Sequence, residues 1–227
     1  SLALDMMNTA KESMVPPFEI SVFPDPAGSF TTAAAMVACT EKTLKHKFNT
    51  NLKDKNIIIY GGKGIVGGIS AIMCAKEGSK CTIVGYDGIT NVQKKAEEYK
   101  SRFGVDIIPA DGTTDELNSS YLPQADIIFC AARAGTQVIS EEQLKLAKNT
   151  KVLADVNAVP PAGLGGVNLK DDDAEHPCGG LSIGPLTSGD IKVKTQYRMF
   201  EKMCAANKPL YLNFEEALTT AREILKL

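Results

Sequence analysis

The feature that most constrains the fold of this chain is a glycine-rich loop that directly follows a short apolar segment. The segment Asn56–Tyr60 reads NIIIY, and its consecutive isoleucines predict a β-strand that is buried on both faces. The loop that follows, residues 61–68, contains the pattern GxGxxG and leads into a helical segment. A strand, a glycine turn and a helix in this order predict the first βα unit of a dinucleotide-binding domain.

Further strands and helices alternate along the chain around this unit. The spacing of apolar residues predicts helices at 1–14, 29–46 and 191–207. Short apolar runs predict further strands at 18–23, 81–86, 105–109, 126–130, 152–155 and 181–184. This alternation predicts the α/β class, with a Rossmann-like, doubly wound parallel sheet and a smaller, incomplete α/β substrate lobe. We expect a partial substrate-binding lobe at 1–48, a dinucleotide-binding domain at 49–185, and C-terminal helices at 186–227 that cross back to the substrate lobe.

Composition excludes several classes of protein. The chain has 227 residues with 25 basic and 27 acidic side chains, and this net charge of −2 lacks the electropositive surface of a nucleic-acid binder. We expect no membrane partner, because no apolar run approaches the roughly 20 residues that span a bilayer. The six cysteines form no CxxC pair and the N-terminus has no signal-peptide pattern, so we expect reduced thiols and a cytoplasmic location.

An acidic residue near the end of the second predicted strand bears on the choice of dinucleotide. Asp87 lies 20 residues beyond Gly67, where a carboxylate accepts hydrogen bonds from a ribose 2′-hydroxyl and repels a 2′-phosphate. We therefore expect NAD to be favoured over NADP by about tenfold to a hundredfold. Lys94 and Lys95 are the nearby cations that would weaken this preference. A solvated turn residue is the alternative interpretation of Asp87.

The residues that we expect to touch the dinucleotide share a place in the glycine loop or at the carboxyl end of a strand. In the loop, successive glycines allow a tight turn, close approach of the pyrophosphate, and packing of helix on strand. After the fourth and fifth strands, small residues line the crevice and an asparagine can donate to the nicotinamide carboxamide. The predicted set is Gly62, Lys63, Gly64, Ile65, Val66, Gly67, Tyr86, Asp87, Ala131, Ala132, Ala134, Asp155 and Asn157.

Several segments together carry a resemblance to a known family. They are Gly28–Ala35 (GSFTTAAA), Gly61–Gly67 (GGKGIVG) and Ala154–Gly166 (ADVNAVPPAGLGG), with weaker support from residues 181–184 and 192–194. In order and spacing they resemble the NAD(P)-dependent methylene-tetrahydromethanopterin dehydrogenases of bacterial one-carbon metabolism. The chain departs from that family in two ways. Members usually carry some tens more residues before the start of this chain, and Tyr86-Asp87 stands where NADP-preferring members have a basic residue.

The resemblance implies a hydride transfer from a methylene carbon, flanked by two pterin-side nitrogens, to a nicotinamide ring. No proton moves in that step, so catalysis would consist mostly of placing two rings face to face. The resemblance suggests Asp25, Ser29, Thr31, Thr32, Pro160, Pro161 and Gly165 as substrate-binding residues. Lys192 and Lys194 are the catalytic candidates, since one of them could hold a substrate carbonyl; solvated helix lysines are the alternative.

Two other functions stay open at this point. One is a methylene-tetrahydrofolate dehydrogenase, although its usual Tyr-x-x-x-Lys helix is not found in the chain. The other is a non-catalytic dinucleotide-binding subunit. The partner is expected to be a small pterin or folate, and the chain is expected to form a homo-oligomer. We expect His46 and His176 to face solvent, and the acidic run at 171–176 to be a solvated loop without a metal.

Overall fold

The computed structural model describes residues 2–227, which form one seven-stranded sheet flanked by helices. The strands are β1 (Asn56–Tyr60), β2 (Lys80–Gly85), β3 (Ile108–Asp111), β4 (Ile127–Cys130), β5 (Val152–Asp155), β6 (Asp172–Glu175) and β7 (Leu181–Ile183). The helices are α1 (Leu2–Ser13), α2 (Ser29–Phe48), α3 (Ile65–Lys76), α4 (Ile89–Phe103), α5 (Asp115–Ser120), α6 (Glu141–Leu144), α7 (Pro185–Ala205) and α8 (Phe214–Leu225).

The order of strands in the sheet is β3-β2-β1-β4-β5-β7-β6. Every neighbouring pair is parallel except β6 and β7, which are antiparallel. The chain therefore runs outward from β1 in one direction, to β2 and β3, and then returns to continue from β4 on the other side. Such a reversal leaves a crevice beyond the carboxyl ends of β1 and β4, where doubly wound sheets bind their ligands. The predicted α/β fold class is confirmed.

Successive residues of the central strand β1 are buried on opposite faces of the sheet. Ile57 and Ile59 join a core that includes residues of α1, α2, α3, α4, α7 and α8. Ile58 and Tyr60 join a second core on the other face, to which α6 and the segments around it contribute. This two-sided burial explains why the strand reads as an uninterrupted β-branched run rather than as an alternation of apolar and polar residues.

Two segments differ from the sequence-based expectation. Residues 18–23 do not form a strand: Val22 makes a single parallel bridge to Tyr211, and Pro24 follows at once, which cannot donate to a ladder. The acidic run was expected to be a solvated loop, but Asp172–Glu175 forms the edge strand β6. Lys42 pairs with Asp172 at 2.7 Å, which offsets negative charge at this edge.

Several element boundaries also differ. Helix α3 begins at Ile65, directly after Gly64. Helix α7 begins at Pro185 rather than at 191, because proline is well suited to the first helical position. Strand β3 begins at Ile108 instead of 105. Helix α5 was not predicted; its signal is the N-cap Thr114, whose side chain accepts from the Leu117 N–H.

Helix α2 packs against α3, α7 and α8 rather than standing apart from the sheet. Its first turn is anchored by Phe30, which is fully buried and meets the Phe214 ring edge-on at a centroid distance of 5.8 Å. The core on this face is thus continuous from α2 to the strands. The division into a lobe at 1–48, a domain at 49–185 and returning helices at 186–227 stays a prediction.

The continuous core predicts that one substitution in α2 weakens the whole fold. Phe30→Ala should lower the free energy of unfolding by about 3–5 kcal/mol, because it leaves a cavity between α2 and α8. Phe18→Ala is the matched control, since Phe18 is 78% exposed and its loss should change stability by less than about 0.5 kcal/mol. Urea unfolding followed by circular dichroism gives both values. A second, separate transition in the Phe30 variant would contradict a continuous core.

Candidate cofactor and substrate site

The glycine loop makes its tight turn one residue earlier than the GxGxxG pattern suggests. Gly61, directly after β1, has a φ of 80°, and a side chain there would collide with the Ala131 backbone. Gly62, the first glycine of the pattern, is buried against the side chain of Ile83. The third glycine, Gly67, matches its predicted packing role, because a Cβ there would lie 2.6 Å from the Gly61 carbonyl oxygen. Close packing of α3 on the loop therefore needs glycines at both points.

The N-terminus of α3 suits a bound phosphate. Gly64 precedes its first residue, and no side chain caps the helix. Helices α5, α6 and α8 each begin with a capping side chain, supplied by Thr114, Ser140 and Asn213, whereas α4 and α7, like α3, do not. The first N–H groups of α3 therefore lack a side-chain acceptor at the end where the helix dipole is positive. A pyrophosphate placed there would accept from them, so the residues present fit a dinucleotide.

Gly64 also borders a cavity at the carboxyl edge of the sheet, with a volume of about 770 Å³. A cavity of this size is typical of sites for small molecules and cofactors. Five of the predicted residues line it: Lys63, Gly64, Tyr86, Ala131 and Ala132. Sequence reasoning missed others that follow β3 and β4, namely Gly112, Thr113, Thr114, Asp115, Asn118, Arg133, Thr136, Gln137 and Val138. Their only signal is their position after a strand, because they form no motif.

Four predicted residues of the glycine loop and of α3 do not line this cavity. They are Gly62, Ile65, Val66 and Gly67, of which the two glycines are buried beneath the loop. Ala134 and Asp87 also lie outside its lining, both of them exposed. The glycines thus shape the turn, while Asp87 stands beside the lining residue Tyr86.

Asp155 and Asn157 have structural partners instead of open positions toward a cofactor. The Asp155 carboxylate is 1% exposed and accepts the N–H groups of Asn157 and Leu164 at 2.8 and 3.0 Å. Burial raises the pKa of Asp155, although these N–H donors oppose the shift. Asn157 accepts from Val159 N–H at 3.0 Å and donates to the Pro161 carbonyl at 2.9 Å. Both side chains therefore brace the loop at 157–166, and their contact with a dinucleotide stays a prediction.

The end of that loop, at Gly165, contacts His176, a residue that was expected to face solvent. His176 is 4% exposed, and its Nε2 lies 2.8 Å from the Gly165 carbonyl oxygen. Its Nδ1 accepts the Cys178 N–H at 3.2 Å. Burial acts to lower the pKa of His176, but its hydrogen bonds to Cys178 and to the Gly165 carbonyl raise that pKa overall. His46 is exposed, as expected. The loop keeps Gly165 buried and leaves Pro160 and Pro161 exposed.

Asp25, which the resemblance suggested as a substrate-binding residue, caps the start of α2. Its Oδ1 accepts from the Phe30 and Thr31 N–H groups at 2.8 and 3.2 Å, and its Oδ2 accepts the Thr31 hydroxyl at 2.7 Å. Thr31 is fully buried, so its hydroxyl cannot reach a substrate. Thr32 donates to the Gly28 carbonyl at 2.7 Å. Ser29 and Thr32 are partly exposed and stay candidates for substrate contact.

The two candidate lysines of α7 have different surroundings. The Lys192 side chain lies against Gly28, in the turn before α2. A Cβ added to Gly28 would be only 2.8 Å from the Nζ atom of Lys192. Its ammonium donates to Gln196 at 3.4 Å, and Gln196 in turn donates to Asp25 at 3.0 Å. Lys194 instead pairs with Asp190 at 2.6 Å on the exposed face of the helix. The structure thus brings Lys192, and not Lys194, to the start of α2.

Comparison with known proteins identifies the family. No family model matches the chain. It is 46% identical over 224 residues to the NAD(P)-dependent methylenetetrahydromethanopterin dehydrogenase of Methylorubrum extorquens, with 98% of this chain and 75% of that protein covered. The chain belongs to this dehydrogenase family. A second relative of this chain, the bifunctional protein MdtA of the same organism, is 27% identical over 219 residues, with 96% of this chain and 74% of that protein covered.

Solved structures of other dehydrogenases have a fold similar to that of this chain. Shikimate 5-dehydrogenase from Listeria monocytogenes is 16% identical, with 99% of this chain and 82% of that chain covered at a TM-score of 0.52. Quinate dehydrogenase from Corynebacterium glutamicum is 13% identical, with 98% and 82% covered at a TM-score of 0.54. At these identities the likeness concerns the Rossmann-type fold alone. Across residues 2–227, no helix is long and apolar enough to cross a bilayer, and no His, Cys, Asp and Glu cluster could hold a metal.

The contact between Lys192 and the turn before α2 can be tested with a pair of glycine variants. Gly28→Ala forces a Cβ into a residue with a φ of 71° and within 2.7 Å of Lys192 Cε, so the lysine must move. Gly104→Ala is the control, because Gly104 has a φ of 68° but no atom within 4 Å of its Cβ position. Both should lose about 1 kcal/mol of stability from backbone strain. Only Gly28→Ala should also lower kcat/KM for hydride transfer, and equal activity in the two variants would contradict this placement.

Proposed function

We propose that this enzyme transfers a hydride from methylene-tetrahydromethanopterin to NAD(P) and releases the methenyl form. The observation that carries the proposal is the 46% identity to a named NAD(P)-dependent methylenetetrahydromethanopterin dehydrogenase. It is supported by a cavity that joins the uncapped start of α3 to the ends of β1, β2 and β4. NAD(P), when bound, supplies the nicotinamide carbon that accepts the hydride.

The cofactor is held by groups on both sides of the crevice. The N–H groups at the start of α3 bind the pyrophosphate, and Gly64 lets it approach the backbone. Tyr86 is 83% exposed at the cavity wall, where its ring can stack on the adenine. Ala131 and Ala132, small residues after β4, leave room for the chain of the dinucleotide between the two halves of the sheet.

The substrate is held by the loop at 157–166 and by the turn before α2. Asn157 donates to the Pro161 carbonyl and so restrains the loop, in which the exposed Pro160 and Pro161 form a rigid, apolar surface. Within residues 2–227, the Lys192 ammonium group makes one hydrogen bond, to the Gln196 side chain. Its other N–H groups can therefore donate to a substrate carbonyl. We retain Lys192 as the catalytic candidate and set Lys194 aside because Asp190 pairs with it.

No acid–base pair is needed for this step. The hydride leaves a carbon whose positive charge is shared by its neighbouring nitrogens, so no proton is transferred as it departs. The enzyme's contribution is to hold the two rings in contact and to exclude other geometries. A positive ammonium near the pterin carbonyl orients the ring by a charge-assisted hydrogen bond.

Two lysine variants two residues apart test this assignment. Lys192→Met should lower kcat/KM for methylene-tetrahydromethanopterin by about tenfold to a hundredfold, which corresponds to one lost charge-assisted hydrogen bond. Lys194→Met, on the same helix, should lower it by less than about twofold, because exposed ion pairs contribute little. Formation of NADH or NADPH is followed by absorbance. Equal loss in both variants, or loss only in the Lys194 variant, would remove Lys192 from the site.

The same assay tests the carbon carrier. Methylene-tetrahydrofolate is offered in place of methylene-tetrahydromethanopterin at matched concentrations, with each of NAD and NADP. We expect the tetrahydromethanopterin form to have the higher kcat/KM. A higher value for the folate form would overturn the proposed substrate but not the family.

The phosphate-binding role of the glycine loop predicts the effect of a single branched side chain. Gly64 has backbone angles open to any residue, and a Cβ there would meet one atom, the Gly61 carbonyl oxygen at 3.3 Å. Gly64→Val should therefore fold yet weaken NAD binding by at least about a hundredfold, because it fills the space of the pyrophosphate. Gly189→Val, in α7 with open space around it, is the control. Calorimetric titration that finds normal NAD affinity in a folded Gly64 variant would refute the role.

We also propose a cytoplasmic location and self-association for this enzyme. The cytoplasmic location is supported by six free thiols.

Self-association is supported by large apolar side chains that are exposed to solvent, including Phe18, Tyr197 and Phe200, which are 78%, 70% and 50% exposed. Analytical ultracentrifugation measures the oligomeric state directly.

A further inference from the structure

Lys63, in the glycine loop, reaches across to Asp87 at the end of β2 and forms an ion pair with it. Its Nζ also lies 5.5 Å from the centroid of the Tyr86 ring. Lys63 and Tyr86 both line the cavity. The position just after β2 is the one that discriminates between a ribose 2′-hydroxyl and a 2′-phosphate in this architecture. Here that position holds a carboxylate together with a cation instead of a lone carboxylate.

The geometry points to Lys63 as a specificity-determining residue that lets one site accept both NAD and NADP. With NAD, Lys63 stays on Asp87, and the carboxylate accepts a hydrogen bond from the ribose hydroxyls. With NADP, the Lys63 ammonium moves from the carboxylate to the 2′-phosphate. This inference rests on the proposed function, because it concerns the cofactor of that reaction.

Three features make the exchange physically reasonable. The Lys63 and Asp87 side chains are 23% and 33% exposed, and partly exposed ion pairs hold together weakly. A lysine ammonium sits on a flexible four-carbon stem and acts as a mobile point charge. Asp87 keeps a second partner when Lys63 leaves, because Asn91 donates to its carboxylate at 3.2 Å.

The other cations near this region are less well placed. Lys95, which the sequence had suggested, is turned toward Glu98 at 2.7 Å and lies over the Tyr99 ring. Arg133 also lines the cavity, but it follows β4, which lies on the opposite side of β1 from β2. Of the two cations that line the cavity, Lys63 is thus the one that pairs with Asp87.

The pair alters the preference expected from Asp87 alone. The Lys63 hydrogen bond lowers the pKa of Asp87, so the carboxylate stays charged, but the adjacent ammonium balances that charge. A 2′-phosphate therefore meets a pair with no net charge. We expect wild-type affinities for NAD and NADP to differ by less than about tenfold, in place of the larger preference for NAD.

Calorimetric titration of the folded protein with NAD and with NADP tests the inference without any one-carbon substrate. Lys63→Met should raise the Kd for NADP by at least about tenfold and the Kd for NAD by less than about threefold. Lys63→Arg keeps the charge and should retain NADP affinity within about threefold. Lys95→Met is the control and should leave the ratio of the two Kd values unchanged. Because the pterin is absent, the result does not depend on which substrate the enzyme oxidises.

A double variant separates charge from structure. In Lys63→Met the Asp87 carboxylate stands alone and repels the phosphate, so adding Asp87→Asn should recover part of the lost NADP affinity. A merely structural role for the pair predicts no such rescue. The inference is overturned if Lys63→Met weakens NAD and NADP equally, if it weakens neither, or if Lys95→Met shifts the ratio instead.

Discussion

The close approach of α3 to the end of β1 is the constraint on which the rest of the site depends. Gly67 lies against the Gly61 carbonyl, and Gly61 turns with a φ that side chains rarely adopt. Because the two backbones touch, the start of α3 is held at the carboxyl edge of the sheet and points its N–H groups toward the crevice. Moving the helix outward by the width of one methyl group would displace those donors, so the spacing of the glycines decides where the first N–H groups of α3 lie.

The second half of the site is organised by buried polar side chains instead of glycines. Asp155 and Asn157 each satisfy backbone N–H groups of the loop that follows β5, and His176 contacts its Gly165 carbonyl from the other side. Buried polar groups are costly unless they are paired, so these contacts restrict the loop to few conformations. The outcome is a rigid loop with an exposed proline pair, suited to hold a flat ring in place.

The sequence predicted the central strands well and the site only in part. The run NIIIY and the glycine loop are local signals that locate β1 and the helix after it, although the tight turn falls at Gly61 and not at Gly62. The predicted strand at 18–23 was wrong because its apolar alternation has no ladder partner beyond one bridge. His176 was wrongly expected to face solvent, because a polar residue in a predicted loop is usually exposed. The bracing contacts of Asp155, at the end of β5, and of Asn157 were not predicted either. Only the folded chain shows which backbone groups a polar side chain satisfies.

What the sequence determined by itself is the α/β alternation and the place of the crevice beside the glycine loop. Those two properties follow from the periodicity of apolar residues and from glycine, whose effects act over a few neighbouring positions. The family resemblance came instead from three longer motifs, and the identity to a relative confirms it. The tertiary structure alone decided the partners of charged side chains: Lys63 with Asp87, Lys192 with the turn before α2, and Lys194 with solvent and Asp190. A long side chain can reach in many directions from the same backbone position, and only the packing of distant segments leaves one of them available.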